Sequence, residues 1–158
     1  MANIQYLLDS QPEPKYILKE IGEIAAANNR EVYVVGGVVR DLFLDRKLKD
    51  IDVMVVGDGI EFAKLIAKKM GIKNIIPFPR FSTAQIPSKP FPIEVAAARE
   101  EAYDTDSRKP SKVVYTDLKG DLLRRDFTVN AMAMSLAPKD FGELHDPHNG
   151  VRDLMARH

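Results

Sequence analysis

Asp50-Ile51-Asp52 places two carboxylates two residues apart at the start of an apolar run. Alternate residues of a strand share a face, which puts the two acids on the same side with Cα atoms roughly 6 to 7 Å apart. Such a pair repels itself unless a proton or cation intervenes, and hard oxygen donors suit Mg²⁺. Two metal ions about 3.5 to 4 Å apart can bridge the pair, one activating an attacking hydroxyl and the other steadying a triphosphate and its leaving group. A solvated strand end would carry the same acids. However, Asp50, Asp52, Met54 and Val56 share one face while Ile51, Val53 and Val55 share the other. Both faces turn apolar after Asp52, which predicts acids at the mouth of a buried strand.

Upstream, the β-prone run Val32-Tyr33-Val34-Val35 stops at Gly36-Gly37, and Arg40 and Asp41 follow one turn later. Two glycines let the backbone approach a ligand, and amides at a helix start favour phosphate. Arg40 can add a fork of donors to that phosphate. A plain tight turn would use the same glycines, and the P-loop and three-glycine dinucleotide patterns are both missing. Glu94, inside Phe91-Pro92-Ile93-Glu94-Val95-Ala96, is a candidate third acid. A carboxylate in an apolar run needs a metal, a basic residue or solvent.

The last constellation is Asp121-Leu122-Leu123-Arg124-Arg125-Asp126-Phe127-Thr128-Val129-Asn130. Asp126 can cap a helix starting near Phe127, and Arg124 and Arg125 stand ahead of it where they can meet phosphates. Asn130, among apolar neighbours, needs partners for both ends of its amide. Arg99 and Arg108 flank a charge-dense stretch. His145-Asp146-Pro147-His148 offers two imidazoles but no third or fourth ligand nearby, so it reads as a turn.

Positioning these groups takes a set of short elements. Periodicity predicts a helix over Lys15 to Asn28, a strand over Val32 to Val35 and a short helix over Val38 to Leu44. A strand over Ile51 to Val56 and a helix from Phe62 to about Gly71 follow. Weaker strands are expected at Ile75-Ile76, Thr83 to Ile86 and Pro92 to Ala97, where prolines favour sheet edges. Arg99 to Ser111 reads as a mobile loop, Leu118 to Leu123 and Thr128 to Leu136 as helical pieces, and Pro138 to Gly150 as a turn-rich connection. Together they predict an α/β or α+β fold, a small mixed twisted sheet with packed helices. The expected organisation is a lead-in and helix over 1–30, a head over 31–150, and the cut start of a further helix over 151–158.

The 158 residues carry 23 Lys+Arg and 23 Asp+Glu, so bulk attraction to a polyanion is not predicted and nucleic-acid contact must come from a local patch or from protein elsewhere. With no cysteine, disulfides, thiolate metal sites and Cys nucleophiles are excluded. No segment approaches the roughly 18 to 20 apolar residues of a membrane span, and a cytoplasmic protein is expected.

In combination these blocks resemble a known family. Val35-Gly36-Gly37-Val38-Val39-Arg40-Asp41, then Leu48-Lys49-Asp50-Ile51-Asp52-Val53, then Arg124-Arg125-Asp126-Phe127-Thr128-Val129-Asn130-Ala131-Met132-Ala133 are similar to the head domain of class II tRNA nucleotidyltransferases. Those enzymes are CCA-adding, or separately A- or CC-adding; bacterial poly(A) polymerases share the head, and all lie within the DNA polymerase β-like superfamily. The likeness runs from about Glu31 to the last residue. It implies transfer of a nucleoside monophosphate from ATP and/or CTP to the 3′-hydroxyl of tRNA or another RNA, with pyrophosphate released and two Mg²⁺ ions engaged.

The resemblance implies that Asp50 and Asp52 bind the metals and that Glu94 is a third catalytic carboxylate. Gly36, Gly37, Arg40, Arg99, Arg125, Asp126 and Asn130 would contact the nucleotide, and Asp41 would support the turn. Poly(A) addition and nucleotidyl transfer to a non-RNA acceptor are the alternative activities. One departure stands out: Phe81-Ser82-Thr83 occupies the place of the usual Phe-Gly-Thr, which puts a close backbone approach in question. A base-reading neck and RNA-gripping helical domains, which follow the head in such enzymes, are expected outside these residues.

Overall fold

The computed structural model describes residues 2–103, 110–125 and 127–156. Pro12–Ala27 forms α1, whose apolar face buries Ile17, Leu18, Ile21 and Ala25. Strand β1 (Val32–Val35) leads through Gly36 into α2 (Gly37–Phe43), and β2 (Ile51–Val55) leads into α3 (Gly59–Lys69). Asp58 caps α3 by accepting from the amides of Ile60 and Glu61 at 2.9 and 3.1 Å. Next come β3 (Ile76–Phe78), β4 (Thr83–Ile86), β5 (Ile93–Ala97), β6 (Arg99–Tyr103), β7 (Pro110–Tyr115) and α4 (Leu118–Leu123). A 3₁₀ turn over Thr128–Asn130, β8 (Ala133–Ser135), β9 (Leu144–His145) and α5 (Gly150–Ala156) complete the described chain.

Among the described residues, seven strands form one mixed sheet in the order β3-β4-β5-β2-β1-β8-β9, and β6 pairs with β7 in a separate ladder. Only the β2–β5 pairing within the large sheet is parallel. Its register sets Ile51 beside Ile93 and Asp52 beside Glu94. The main core lies on the face carrying Ile51, Val53 and Val55, packed with residues of α1 and α3 such as Leu18, Ile21, Phe62 and Ile66. On the opposite face Met54 joins a smaller cluster with Val35, Ala98, Leu122 and Ala133. The alternation read from the sequence is therefore realised: both faces of β2 are buried beyond Asp52.

Two expectations are corrected. The stretch from Arg99 is not all loop, because residues 99–103 and 110–115 form an antiparallel ladder with Arg99 opposite Tyr115. Ladder bonds use main-chain groups that charged residues carry too, so charge density did not reveal the strand. Residues 104–109, including Arg108, lie outside the described residues. Thr128 to Leu136 is not a helix but a 3₁₀ turn followed by β8, held between β1 and β9. Ala133, Met134 and Ser135 are all buried, so no one-sided pattern separates a strand from a helix there.

At Gly22, α1 comes close to the backbone just after β8: a Cβ there would lie 1.8 Å from the Leu136 carbonyl oxygen. Alanine is favoured over glycine within a helix by about 1 kcal/mol. The backbone collision outweighs that gain, so Gly22→Ala is expected to destabilise the fold by about 1 to 3 kcal/mol in urea unfolding. A neutral or stabilising result would contradict this packing.

Candidate active site

The site forms where the open ends of β2 and β5 meet the turn between β1 and α2. Asp50 is exposed on the bend before β2, Asp52 is half-buried on its first turn of pleat, and Glu94 is exposed on the neighbouring strand. Burial foremost, then the charges of Glu94 and Asp50, push the Asp52 carboxyl up from 3.8 to about 6, against the opposing pull of Arg125. The acids thus lack enough nearby positive charge.

Among the described residues, no three carboxylate, imidazole or thiol groups gather closely enough to hold an ion alone. A hard divalent cation held by one or two carboxylates together with substrate phosphates needs no all-protein cage.

The acids share their groove with guanidinium groups. A groove of about 410 Å³ is lined by Asp52 and Glu94 together with Arg40, Arg99, Arg124 and Arg125, and by Gly36 and Gly37. Gly36 has φ +65°, a left-handed value that favours glycine. The pair serves close approach by side chains as well: an added Cβ would sit 3.4 Å from Arg125 Nη1 at Gly36 and 3.2 Å from Arg40 Nη2 at Gly37. The amide of Gly36 donates to the Met132 carbonyl, which ties this turn to the segment after Asn130.

Asn130 joins two of the arginines. Its side-chain Oδ1 accepts from Arg40 Nη1 at 3.1 Å, and its backbone carbonyl accepts from Arg125 Nη1 at 3.4 Å. Asp41 accepts from Arg40 Nε at 3.2 Å and lies 3.6 Å from Arg46 Nη1, a supporting position for the turn. The Arg99 guanidinium stacks over the Phe81 ring at 4.7 Å. Asp126 lies outside the described residues. The remaining candidates, Gly36, Gly37, Arg40, Asp52, Glu94, Arg99, Arg125 and Asn130, line this groove together, whereas Asp50 lines an adjoining one.

Asp121 is the residue whose part the sequence reading missed. It is 1% exposed, accepts from Arg125 Nε and Nη2 at 3.2 and 3.0 Å, and takes the Arg99 amide at 2.9 Å on its other oxygen. Arg124 Nη2 lies 3.5 Å from that second oxygen, and Arg124 Nε donates to the Arg99 carbonyl. One buried carboxylate thereby fixes the arginines and the start of β6. The signal was present as the i,i+3 and i,i+4 spacing of Asp121 to Arg124 and Arg125 on one helix face.

Ser82, the departure from Phe-Gly-Thr, keeps the glycine-like conformation at φ +49°. Its carbonyl accepts from the Ala97 amide, and its hydroxyl accepts from the Gly59 amide at 2.9 Å and reaches Asp58 at 3.3 Å. The hydroxyl makes bonds that glycine cannot, beside the α3 cap.

The sign of the Asp52 shift gives a stability test. Its folded value lies above its unfolded one, so the ionised group destabilises the metal-free fold above about pH 6, and that penalty fades as pH falls toward 3.8. Asp52→Asn should raise the melting temperature of the metal-free protein at pH 7.5 by a few degrees, corresponding to about 1 to 2 kcal/mol after solvent screening. The gain should shrink toward pH 4; an unchanged or lower melting temperature at pH 7.5 would contradict the crowding of charge.

Comparison with known proteins agrees with this arrangement. Residues 32–158 match the family described as Poly A polymerase head domain. The A-adding tRNA nucleotidyltransferase of Aquifex aeolicus is 47% identical over 122 residues, covering 77% of this chain and 15% of the relative. That of Halalkalibacterium halodurans is 33% identical over 140 residues, covering 87% and 32%. The chain thus spans a third or less of the length of these curated relatives. Among solved structures, a CCA-adding enzyme in apo form II is similar with a TM-score of 0.87 at 40% identity, covering 98% of this chain and 37% of that one. The Thermotoga maritima CCA-adding enzyme complexed with tRNA gives 0.79 at 38% identity, covering 98% and 34%. With the fold, the paired acids and the arginine bed in place, the chain belongs to the Poly A polymerase head domain family.

Proposed function

We propose that this chain is the catalytic head of an enzyme that transfers a nucleoside monophosphate from a triphosphate to the 3′-hydroxyl of RNA, releasing pyrophosphate, in the synthesis or repair of tRNA CCA ends. The observation that carries the reading is the groove that gathers Asp52 and Glu94 with Arg40, Arg124 and Arg125. Carboxylates for a cation and guanidiniums for phosphate in one groove suit a metal-bound triphosphate. The relatives add the acceptor: A-adding tRNA nucleotidyltransferases by sequence, and CCA-adding enzymes in complex with tRNA or with CTP by structure.

Asp50 and Asp52 would hold Mg²⁺, two ions during transfer, whose chemistry when bound is to lower the pKa of the attacking hydroxyl and to offset charge on the transferred phosphate. Glu94 adds negative charge beside Asp52. Arg40 and Arg125, joined through Asn130, are placed to hold the phosphates that leave, and Gly36 and Gly37 keep side-chain bulk away from them. Arg99 is placed at the groove wall by the Asp121 carboxylate that accepts from its amide. Asp126, as the family likeness implies, would contact the nucleotide.

No helix among the described residues is long and apolar enough to cross a membrane. A cytoplasmic location is part of the tRNA-processing proposal.

Asp50→Ala and Asp52→Ala should each abolish metal-dependent addition of labelled ATP or CTP to tRNA shortened at its 3′ end, while the circular dichroism spectrum keeps its folded form. Normal addition by the doubly substituted protein would defeat the mechanism. Addition to a non-RNA acceptor in place of tRNA would redirect it.

A further inference from the structure

The chain between α2 and β2 carries Arg46, Lys47 and Lys49 around the buried Leu48. A basic run of this kind is usually a solvated face. Here its backbone is clamped from outside: Gln11, just ahead of α1, donates through Nε2 to the Arg46 carbonyl at 3.1 Å and accepts from the Leu48 amide at 2.9 Å through Oε1. The Arg46 amide also donates to the Asp41 carbonyl at 2.9 Å, and Asp45 turns the chain with φ +55°. The cations are therefore presented from a fixed main chain.

They rim a second groove of about 590 Å³, which shares Gly37, Arg40 and Asp52 with the first and has Asp50 on its wall. Lys47 and Lys49 are exposed and have no acidic partner among the described residues; Arg46 has only the 3.6 Å approach to Asp41. Thus two grooves meet at one carboxylate: Arg40 lines both, while Arg124 and Arg125 line only the first. In-line displacement at phosphorus requires the attacking oxygen and the leaving oxygen to lie on different sides of the reacting atom. Two grooves that share Asp52 give an acceptor and a triphosphate separate spaces beside it.

We propose that the second groove binds the sugar–phosphate backbone of the acceptor RNA's terminal nucleotides, with Lys47 and Lys49 on phosphates, and delivers the 3′-hydroxyl to the edge formed by Asp50 and Asp52. This rests on the nucleotidyl-transfer reading above. The contacts are to backbone and carry no base preference, in keeping with rotatable lysine ammonium groups.

The test measures binding of a fluorescent single-stranded RNA decamer to the whole chain over a range of salt. Lys47→Ala/Lys49→Ala is compared with Lys68→Ala/Lys69→Ala, which removes two cations from the last turn of α3. The first variant is expected to weaken binding about tenfold at low salt and to lower the salt slope by about 1.4, two phosphate contacts' worth, with the second variant at wild-type values. A decamer ending in a 3′-phosphate should bind wild type about threefold or more weakly than one ending in a hydroxyl, because its end would meet the aspartates. Equal loss in both variants, no RNA binding by wild type, or indifference to the 3′ end would each overturn the groove assignment. Failure of the transfer reading itself would show separately, as absence of nucleotide addition to any RNA.

Discussion

Repulsion among three carboxylates at the ends of two adjacent strands is the constraint around which the rest of this head is arranged. Asp52 sits where desolvation and two neighbouring acids all oppose its ionisation. A fold seeking stability alone would place an apolar or amide side chain there. The surrounding elements instead bring guanidinium groups to line the same groove. Parallel pairing of β2 with β5 sets Asp52 beside Glu94, and burial of both faces beyond them keeps the acids at the mouth.

The arginines have their own organising group. Arg124 and Arg125 follow α4 directly, and both meet Asp121, which α4 buries and which also takes the first amide of β6. Asn130 then passes the order on to Arg40 across the glycine turn. A chain of hydrogen bonds therefore runs from the β6–β7 ladder to α2. It links parts of the sequence far apart in the chain, so displacement of one end is felt at the other.

Much of this was legible in the sequence because it is local. Alternation of polar and apolar residues from Asp50 to Val56 set the faces of β2, and Gly36-Gly37 after a β-prone run marked a turn needing positive φ. What escaped depended on distant partners. The β6 strand is written in charged residues and exists through pairing with β7, and β8 is buried on both sides, so its Ala and Met residues gave no one-sided period. Asp121 carried no assigned role, and Gln11 was part of a lead-in, because the partners each clamps come together only on folding. Ser82 shows the converse: it stands in a left-handed conformation that favours glycine, while its hydroxyl has partners on Gly59 and Asp58.

The core of this account is that the acids and the arginines form one triphosphate site completed by a divalent cation. Calorimetric titration of the protein with ATP, first in Mg²⁺ and then in excess EDTA at the same ionic strength, tests it most directly. The account predicts measurable affinity with Mg²⁺ and at least about tenfold weaker binding without it, since uncompensated phosphate would then face Asp52 and Glu94. Equal affinity under both conditions would contradict it.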